Sequence, residues 1–273
     1  MNFKLLFPTF RNRYLFVRSR LKQYAADRSS MLQGLNLGTG EGDYDRMVAG
    51  YCLQLTGCDV NEEDLAHARA LNAGVMNLRY EANNALALTY EANTFDLIVS
   101  CEVIEHVGYP EKMVQEMYRV MKPGGIAIMT FPSREFPVTY DPVNRIWQML
   151  RGAESRAFVV SQGAYAFGHD YLIGSADFKK WALSAGFEIL EFKGLSRHLV
   201  GLLEMYWTGM VQRIFKKNAG NVTSDTKGGL KMRPNSSKEP AFVFVTDFLL
   251  AVDQGLFGWT NRSVGKGVVL RKK

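Results

Sequence analysis

Two carboxylates and an imidazole crowd into one short segment, Cys101-Glu102-Val103-Ile104-Glu105-His106-Val107. Glu102, Glu105 and His106 are spaced i, i+3 and i+4, so a helical turn here would place all three on one face. His169, just ahead of a later helical segment, could close the constellation. Two carboxylates and two imidazoles suit a divalent cation such as magnesium with open coordination positions. The same residues also support a metal-free reading, with His106 or His169 as general base. In a third reading, Glu105 and His106 only brace the start of the next helix. The residue types leave all three open. His67 and His198 fall outside the cluster and read as surface or packing residues.

An earlier stretch could hold a ligand beside that cluster. In Leu35-Asn36-Leu37-Gly38-Thr39-Gly40-Glu41-Gly42, an apolar run leads into three glycines at alternate positions. This is the strand, tight turn and helix start of a nucleotide-binding unit. Glycine can take positive φ and lets the backbone approach a ligand, and helix N-terminal amides then face that ligand. Leu53 to Asp59 reads as a second strand ending in an acid, 21 residues after Gly38. That position suits contact with ribose hydroxyls. The spacing GxGxG, rather than GxGxxG, speaks against a nicotinamide dehydrogenase.

The elements that must position these groups alternate. Residues 43–50 read as a short helix, and Asn61 caps a longer one, NEEDLAHARALNAG. Leu78 to Asn84 is a third strand and Phe95 to Ser100 a fourth, whose continuous apolar run suits a sheet covered on both faces. A helix starting at Pro110 is stopped by Lys122-Pro123-Gly124-Gly125, and Gly125 to Phe131 is a fifth strand. Such alternation predicts an α/β fold with a mostly parallel, doubly wound sheet. The carboxylate cluster would then lie at the carboxyl edge of the strands, where such sheets bind ligands.

With LNLGTGEG, GCD, NTFDLIVSCEVIEHV and RVMKPGGIAIMTFPS in this order, the chain resembles the class I S-adenosylmethionine-dependent methyltransferases. EVIEHV followed by His-Asp-Tyr resembles in particular the ubiquinone-biosynthesis O-methyltransferases. The resemblance implies a Rossmann-like seven-stranded sheet with an antiparallel last strand and helical insertions. It implies S-adenosylmethionine as cofactor. Gly38, Gly40 and Gly42 would wrap its methionine and ribose, and Asp59 would hold the ribose. Asn84 and Ala85 would meet the adenine, and Cys101 would border the methionine end. In the related quinone enzymes the residues corresponding to Glu102, Glu105, His106 and His169 are implicated in divalent-cation binding. Two positions depart from the pattern: Asn36 and Asn84 stand where the family usually has acids.

The net charge of +6 is uneven. Residues 1–30 carry seven basic residues against Asp27, and the rest of the chain, with 26 of each sign, is neutral. Interleaved aromatics there (Phe3, Phe7, Phe10, Tyr14, Phe16) suit an anionic surface, or a helix that packs its apolar side and solvates its arginines. The neutral body argues against a broad nucleic-acid face. Cys52, Cys58 and Cys101 lack metal spacing and read as reduced cysteines of a cytoplasmic protein. No secretory signal is visible, and no apolar run reaches the ~20 residues needed to cross a bilayer.

The expected organisation is a basic, aromatic segment at 1–30 and a methyltransferase domain over 31–196 with 264–273. Residues 134–168 form a substrate lid containing Tyr140, Trp147 and Phe167, and 197–263 a helical insertion with a flexible loop at 218–239. The expected function is methyl transfer to a small apolar or lipid-linked acceptor, most simply on oxygen. Segments 1–30 and 197–263 are candidates for peripheral contact with the cytoplasmic membrane face. The alternatives are a non-catalytic scaffold of the same fold at a membrane, and an RNA methyltransferase.

Overall fold

The computed structural model describes residues 1–25, 32–137, 172–204, 222–224, 230–234 and 236–273, with single positions at 139, 142, 146 and 150. Seven strands form one sheet: β1 (Gln33–Leu37), β2 (Gln54–Asp59), β3 (Leu78–Ala82), β4 (Phe95–Cys101), β5 (Met121–Pro132), β6 (Phe187–Leu195) and β9 (Gly265–Lys272), in the order β3-β2-β1-β4-β5-β9-β6. The first five pair in parallel, and β9 runs antiparallel to both β5 and β6. The chain moves outward from β1 to β3 and then returns to set β4 against the other side of β1. This reversal opens a crevice outside the carboxyl ends of β1 and β4.

Six helices matter here: α1 (Pro8–Ala25), α2 (Asp45–Ala49), α3 (Glu62–Leu71), α4 (Pro110–Val120), α5 (Ser175–Ala185) and α6 (Val243–Phe257). Each sheet face carries its own core. Leu35, Leu37, Ile98 and Met129 meet Met113 and Met117 of α4 and Phe178 of α5 on one face. Leu55, Leu97, Val99 and Ile128 meet Phe16, Val17 and Leu21 of α1 on the other. Ile98 thus faces one core while its neighbours Leu97 and Val99 face the other, as strand alternation requires. Helix α3 starts as its sequence predicts, with the Asn61 side chain accepting from the amides of Glu63 and Asp64. Gly186 ends α5 in the left-handed region, at φ 102°.

The segment of residues 1–30 therefore contributes a packed helix. Its cations are largely consumed by acids of the body: Lys4 with Glu41 and Asp43, Arg11 with Glu239 and Asp247, Arg13 with Glu102, and Arg20 with Glu191. The uneven charge of the sequence is locally neutralised in the fold.

Within 218–239, the expected flexible loop, only 222–224, 230–234 and 236–239 are among the described residues. β7 (Val222–Ser224) and β8 (Leu230–Met232) pair as an antiparallel hairpin. The chain after it is tied down, with Arg233 bonded to Glu41 and Glu63 and the Pro234 carbonyl oxygen 3.2 Å from His67 Nε2. Further on, the Lys238 carbonyl accepts from the Asn2 amide. These are contacts across more than 150 residues, which local composition does not report. Most of the expected lid, including His169, lies outside the described residues.

Candidate active site

The crevice beyond β1 and β4 holds a cavity of about 570 Å³. Its floor is the glycine turn. Gly38, at φ 72°, is forced to be glycine, because a Cβ there would come 2.3 Å from Val103 Cγ2. The amides of Gly38 and Thr39 both donate to the Cys58 carbonyl, pinning the turn to β2. Gly40, at φ 53°, has nothing within 4 Å of where a Cβ would stand. Its amide donates to Asp59 Oδ2 at 2.8 Å, and the Asn61 amide donates to Oδ1 at 3.0 Å. Asp59 thus sits at the rim with both oxygens oriented by backbone amides.

Asn36 lines the cavity at the end of β1. Its amide nitrogen donates to Thr39 Oγ1 (3.0 Å) and Asp45 Oδ1 (2.5 Å). Its carbonyl oxygen is the end left for a ligand. Asp45 is fully buried behind the turn and also accepts from Tyr80 Oη at 2.7 Å. Burial pushes its carboxyl above the usual range, against the pull of the bonds from Tyr80, Asn36 and Thr39. The acid missing from the end of β1 has a counterpart nine residues later, bonded to the asparagine.

Asn83, Asn84 and Ala85 form the wall after β3. The Asn83 side chain organises this loop, accepting from the amides of Asn84 and Thr89 and donating to Thr89 Oγ1. Asn84 Oδ1 accepts from the Leu86 amide at 2.9 Å, and Asn84 itself is exposed at the rim.

The far wall joins the end of β4 to α1. Cys101, Glu102, Val103, His106 and Val107 line it together with Phe10 and Arg13. Glu102 adopts φ 58°, which costs a non-glycine residue ~1 kcal/mol or more and tends to occur at functional sites. Arg13 Nη1 donates to Glu102 Oε2 at 2.6 Å, and Thr130 Oγ1 donates to Oε1 at 3.1 Å. Burial raises the Cys101 thiol to about 12, so it stays protonated. Tyr44 packs against Phe10 and Tyr14, with ring centroids 5.6 and 5.8 Å away.

A family model described as a methyltransferase domain matches residues 35–129. The chain is 28% identical to the ubiquinone biosynthesis O-methyltransferase of Coxiella burnetii, over 60% of this chain and 67% of that protein. It is also 28% identical to the ubiquinone/menaquinone biosynthesis C-methyltransferase UbiE of Hydrogenovibrio crunogenus, over 66% and 76%. In fold it is similar to the crystal structure of a sarcosine dimethylglycine methyltransferase from Galdieria sulphuraria, at TM-score 0.60, 19% identity and coverage of 96% and 86%. Together the matched domain, these relatives and the fold support a class I S-adenosylmethionine-dependent methyltransferase.

The cavity fits the cofactor of this methyltransferase family. Four carboxylates line it (Glu41, Asp43, Asp59 and Glu102) against one guanidinium, Arg13. Lys4 and Arg233 compensate Glu41, and Lys4 also compensates Asp43. Asp59 and the Arg13–Glu102 pair are left at the cavity surface. That balance suits a ligand carrying a sulfonium, an ammonium and one carboxylate. Open space over Gly40 lets the ligand approach the backbone.

Of the residues singled out in the sequence, the structure brings Asn36, Gly38, Gly40, Asp59, Asn84, Ala85, Cys101, Glu102 and His106 to one cavity. Gly42 is different. A Cβ there would meet Asn72 Nδ2 at 2.7 Å and Ala68 Cβ at 2.9 Å, so Gly42 serves the close packing of the turn on α3.

The carboxylate cluster does not form the expected face. Residues 104–106 make a single 3₁₀ turn, and Glu102 lies outside it with a left-handed backbone. Glu105 is fully buried, and neither of its carboxylate oxygens has a hydrogen-bond partner. Burial pushes its carboxyl well above the usual range, and Glu102 pushes it the same way. Among the described residues no three His, Cys, Asp or Glu groups converge as metal ligands. Glu102 is already compensated by Arg13. The donor set described therefore does not fit a divalent cation held by Glu102, Glu105 and His106.

Sequence reasoning missed Arg13, Phe10 and Tyr44. For Phe10 and Arg13 the interleaving of basic and aromatic residues in 1–30 was the only signal, and it pointed equally to an external surface; Tyr44, in the turn after the glycines, carried none.

Proposed function

We propose that this methyltransferase transfers a methyl group to the oxygen of a small apolar or lipid-linked acceptor at the cytoplasmic face of a membrane. The observation that carries this reading is the composition of the wall beside the sulfonium end. His106 is the one imidazole lining the cavity among the described residues, and Phe10, Val103 and Val107 line it as well. Such a wall suits an apolar acceptor with a single hydroxyl to deprotonate. The names of the quinone-biosynthesis relatives favour the same class of acceptor, and that of the O-methyltransferase among them favours oxygen.

Residue roles follow from placement. Asp59 would hold the ribose hydroxyls, and the Asn84 and Ala85 wall the adenine. Asn36 Oδ1 would accept from the ammonium, and Arg13 is the cation available to the carboxylate. Bound S-adenosylmethionine supplies an electrophilic methyl on a sulfonium. His106 takes the acceptor hydroxyl's proton as the oxygen bonds to the methyl carbon, and the C–S electron pair stays on sulfur. The products are a methyl ether, S-adenosylhomocysteine and a protonated His106. Positioning by the walls supplies much of the remaining rate. No step is assigned to a metal ion.

Incubating the purified protein with labelled S-adenosylmethionine and a membrane lipid extract tests this reading. The label is expected in an apolar fraction as a methyl ether. His106→Ala should lower turnover by about a hundredfold with unchanged affinity for S-adenosylhomocysteine. Label in an RNA fraction, or none in lipid, would refute it.

A further inference from the structure

Helix α6 is built inside out. Its buried positions include Thr246 and Asp253, and both of its acids turn toward the protein. Asp247 accepts the Arg11 guanidinium through both oxygens, at 2.7 and 2.9 Å. Asp253 accepts the backbone amides of Arg197, Leu199 and Val200 at 2.6, 2.9 and 3.2 Å. The Thr246 hydroxyl donates to the Leu6 carbonyl at 3.1 Å. The polar side chains of α6 thus attach the helix to the body, and Gln254, exposed, is bonded to Arg197.

What faces outward is apolar. Phe244 is 64% exposed, Phe248 68% and Leu256 59%, and Trp259, just beyond the helix, is 81% exposed. The spacing of 244, 248 and 256 keeps them on one side of α6, and Trp259 follows just past its end to complete the stripe. Phe242 and Val245 extend it. From Ala241 to Thr260 the only charged residues are the two inward acids. A contiguous exposed apolar surface of this kind marks an interaction site.

Cations stand at both ends of the stripe. Lys238 is exposed just before α6, and Arg18 of α1 is 55% exposed and 3.6 Å from Glu239. Arg262 is exposed after Trp259. An uncharged aromatic stripe bracketed by cations is complementary to an anionic bilayer. The stripe enters the acyl boundary while the cations meet the headgroups. A second copy packed antiparallel on the same stripe would instead oppose cation to cation. The helix has 15 residues, short of the ~20 needed to span, and no helix among the described residues is long and apolar enough to cross. It would therefore lie in the membrane plane.

We propose that the outward face of α6 docks the protein onto the surface of an anionic phospholipid bilayer. Helix α1 lies between this face and the cavity, with Arg11 turned to α6 and Phe10 and Arg13 to the cavity. The proposal stands whatever the methyl acceptor is.

Co-sedimentation of the full chain with phosphatidylglycerol/phosphatidylcholine vesicles tests it. Wild type should bind these vesicles and bind pure phosphatidylcholine more weakly. The triple variant Phe244→Ser/Phe248→Ser/Trp259→Ser should lose about tenfold or more in vesicle affinity. The variant Lys238→Glu/Arg262→Glu, which leaves the stripe intact, should lose about tenfold. Both should keep wild-type affinity for S-adenosylhomocysteine. Equal binding by wild type and the triple variant would overturn the proposal, as would no binding by wild type. A concentration-dependent dimer abolished by the triple variant, without vesicle binding, would assign the face to a second copy. A large fall in Tm of the triple variant, again without vesicle binding by wild type, would assign it to cover by the chain itself.

Discussion

Arg13 Nη1 donates to Glu102 Oε2 at 2.6 Å, joining the first helix to the end of the fourth strand inside the cavity. Burial lowers the guanidinium's affinity for its proton, and Glu102, together with Tyr44, Glu204 and Cys101, more than offsets this, so its pKa is raised. Glu102, one of the carboxylates in the metal reading of this segment, is thus compensated by a guanidinium. Removing the cation strands a partly buried carboxylate beside the ligand. Arg13→Ala should weaken S-adenosylhomocysteine binding by about tenfold, or ~1.4 kcal/mol, with Arg13→Lys intermediate. Calorimetry that finds Arg13→Ala unchanged would remove the guanidinium from the site.

The glycine turn separates packing from binding. Gly38→Ala drives a Cβ into Val103 and should lower stability by ~2 kcal/mol or more. Gly40→Ala meets open space, so its stability cost should stay near ~1 kcal/mol while cofactor binding is lost. Gly42→Ala, against Asn72 and Ala68, should resemble Gly38→Ala. Denaturant titrations and calorimetry on the three variants separate these outcomes; equal behaviour of Gly38→Ala and Gly40→Ala would contradict the assignment.

Asn36 and Asp45 form a unit. Restoring the family's acid at 36 would set a second carboxyl 2.5 Å from the first, in a buried site. Asn36→Asp is therefore expected to destabilise the protein by about 2 kcal/mol at neutral pH. The exchange Asn36→Asp/Asp45→Asn should recover most of the loss. A stable, tighter-binding Asn36→Asp single variant would show that the asparagine is an impaired acid.

Glu105 sets a pH dependence whose sign follows from its raised folded pKa. The unfolded carboxyl ionises near 4.5. Below that pH both states are protonated and Glu105 is neutral in its effect. As pH rises above it, the unfolded chain gains stability by ionising while the buried carboxyl cannot, so the folded state loses ground. Glu105→Gln removes this loss. Thermal melts should show the variant equal to wild type near pH 4 and progressively more stable than wild type toward pH 8. A variant less stable than wild type at pH 8 would mean that Glu105 is ionised and partnered in the native protein.

The parallel sheet, the glycine turn, the rim acid and the Asn61 cap were legible because each rests on local pattern: an apolar run, a spacing, a cap. Gly42 packs closely on α3, and a glycine needed for close packing has the same letter as one needed for a ligand. Glu102, Glu105 and His106 have helical spacing, but the positive φ at Glu102 breaks the face that spacing implies. Arg13 was hidden for another reason. Its partner lies 89 residues away, and nothing in a run of arginines says which one turns inward. The acids of α6 looked like interruptions of an apolar helix, whereas their inward bonds to Arg11 and to the chain at 197–200 are what leave its outer face apolar.

The account rests on the cavity being a cofactor site, and titrating S-adenosylhomocysteine into wild type and Asp59→Ala tests that most directly. Wild type should bind in the micromolar range. Asp59→Ala should weaken binding by about a hundredfold, the ~3 kcal/mol of two hydrogen bonds to a charged acceptor. Wild type giving no detectable heat, or Asp59→Ala binding as tightly as wild type, would contradict it.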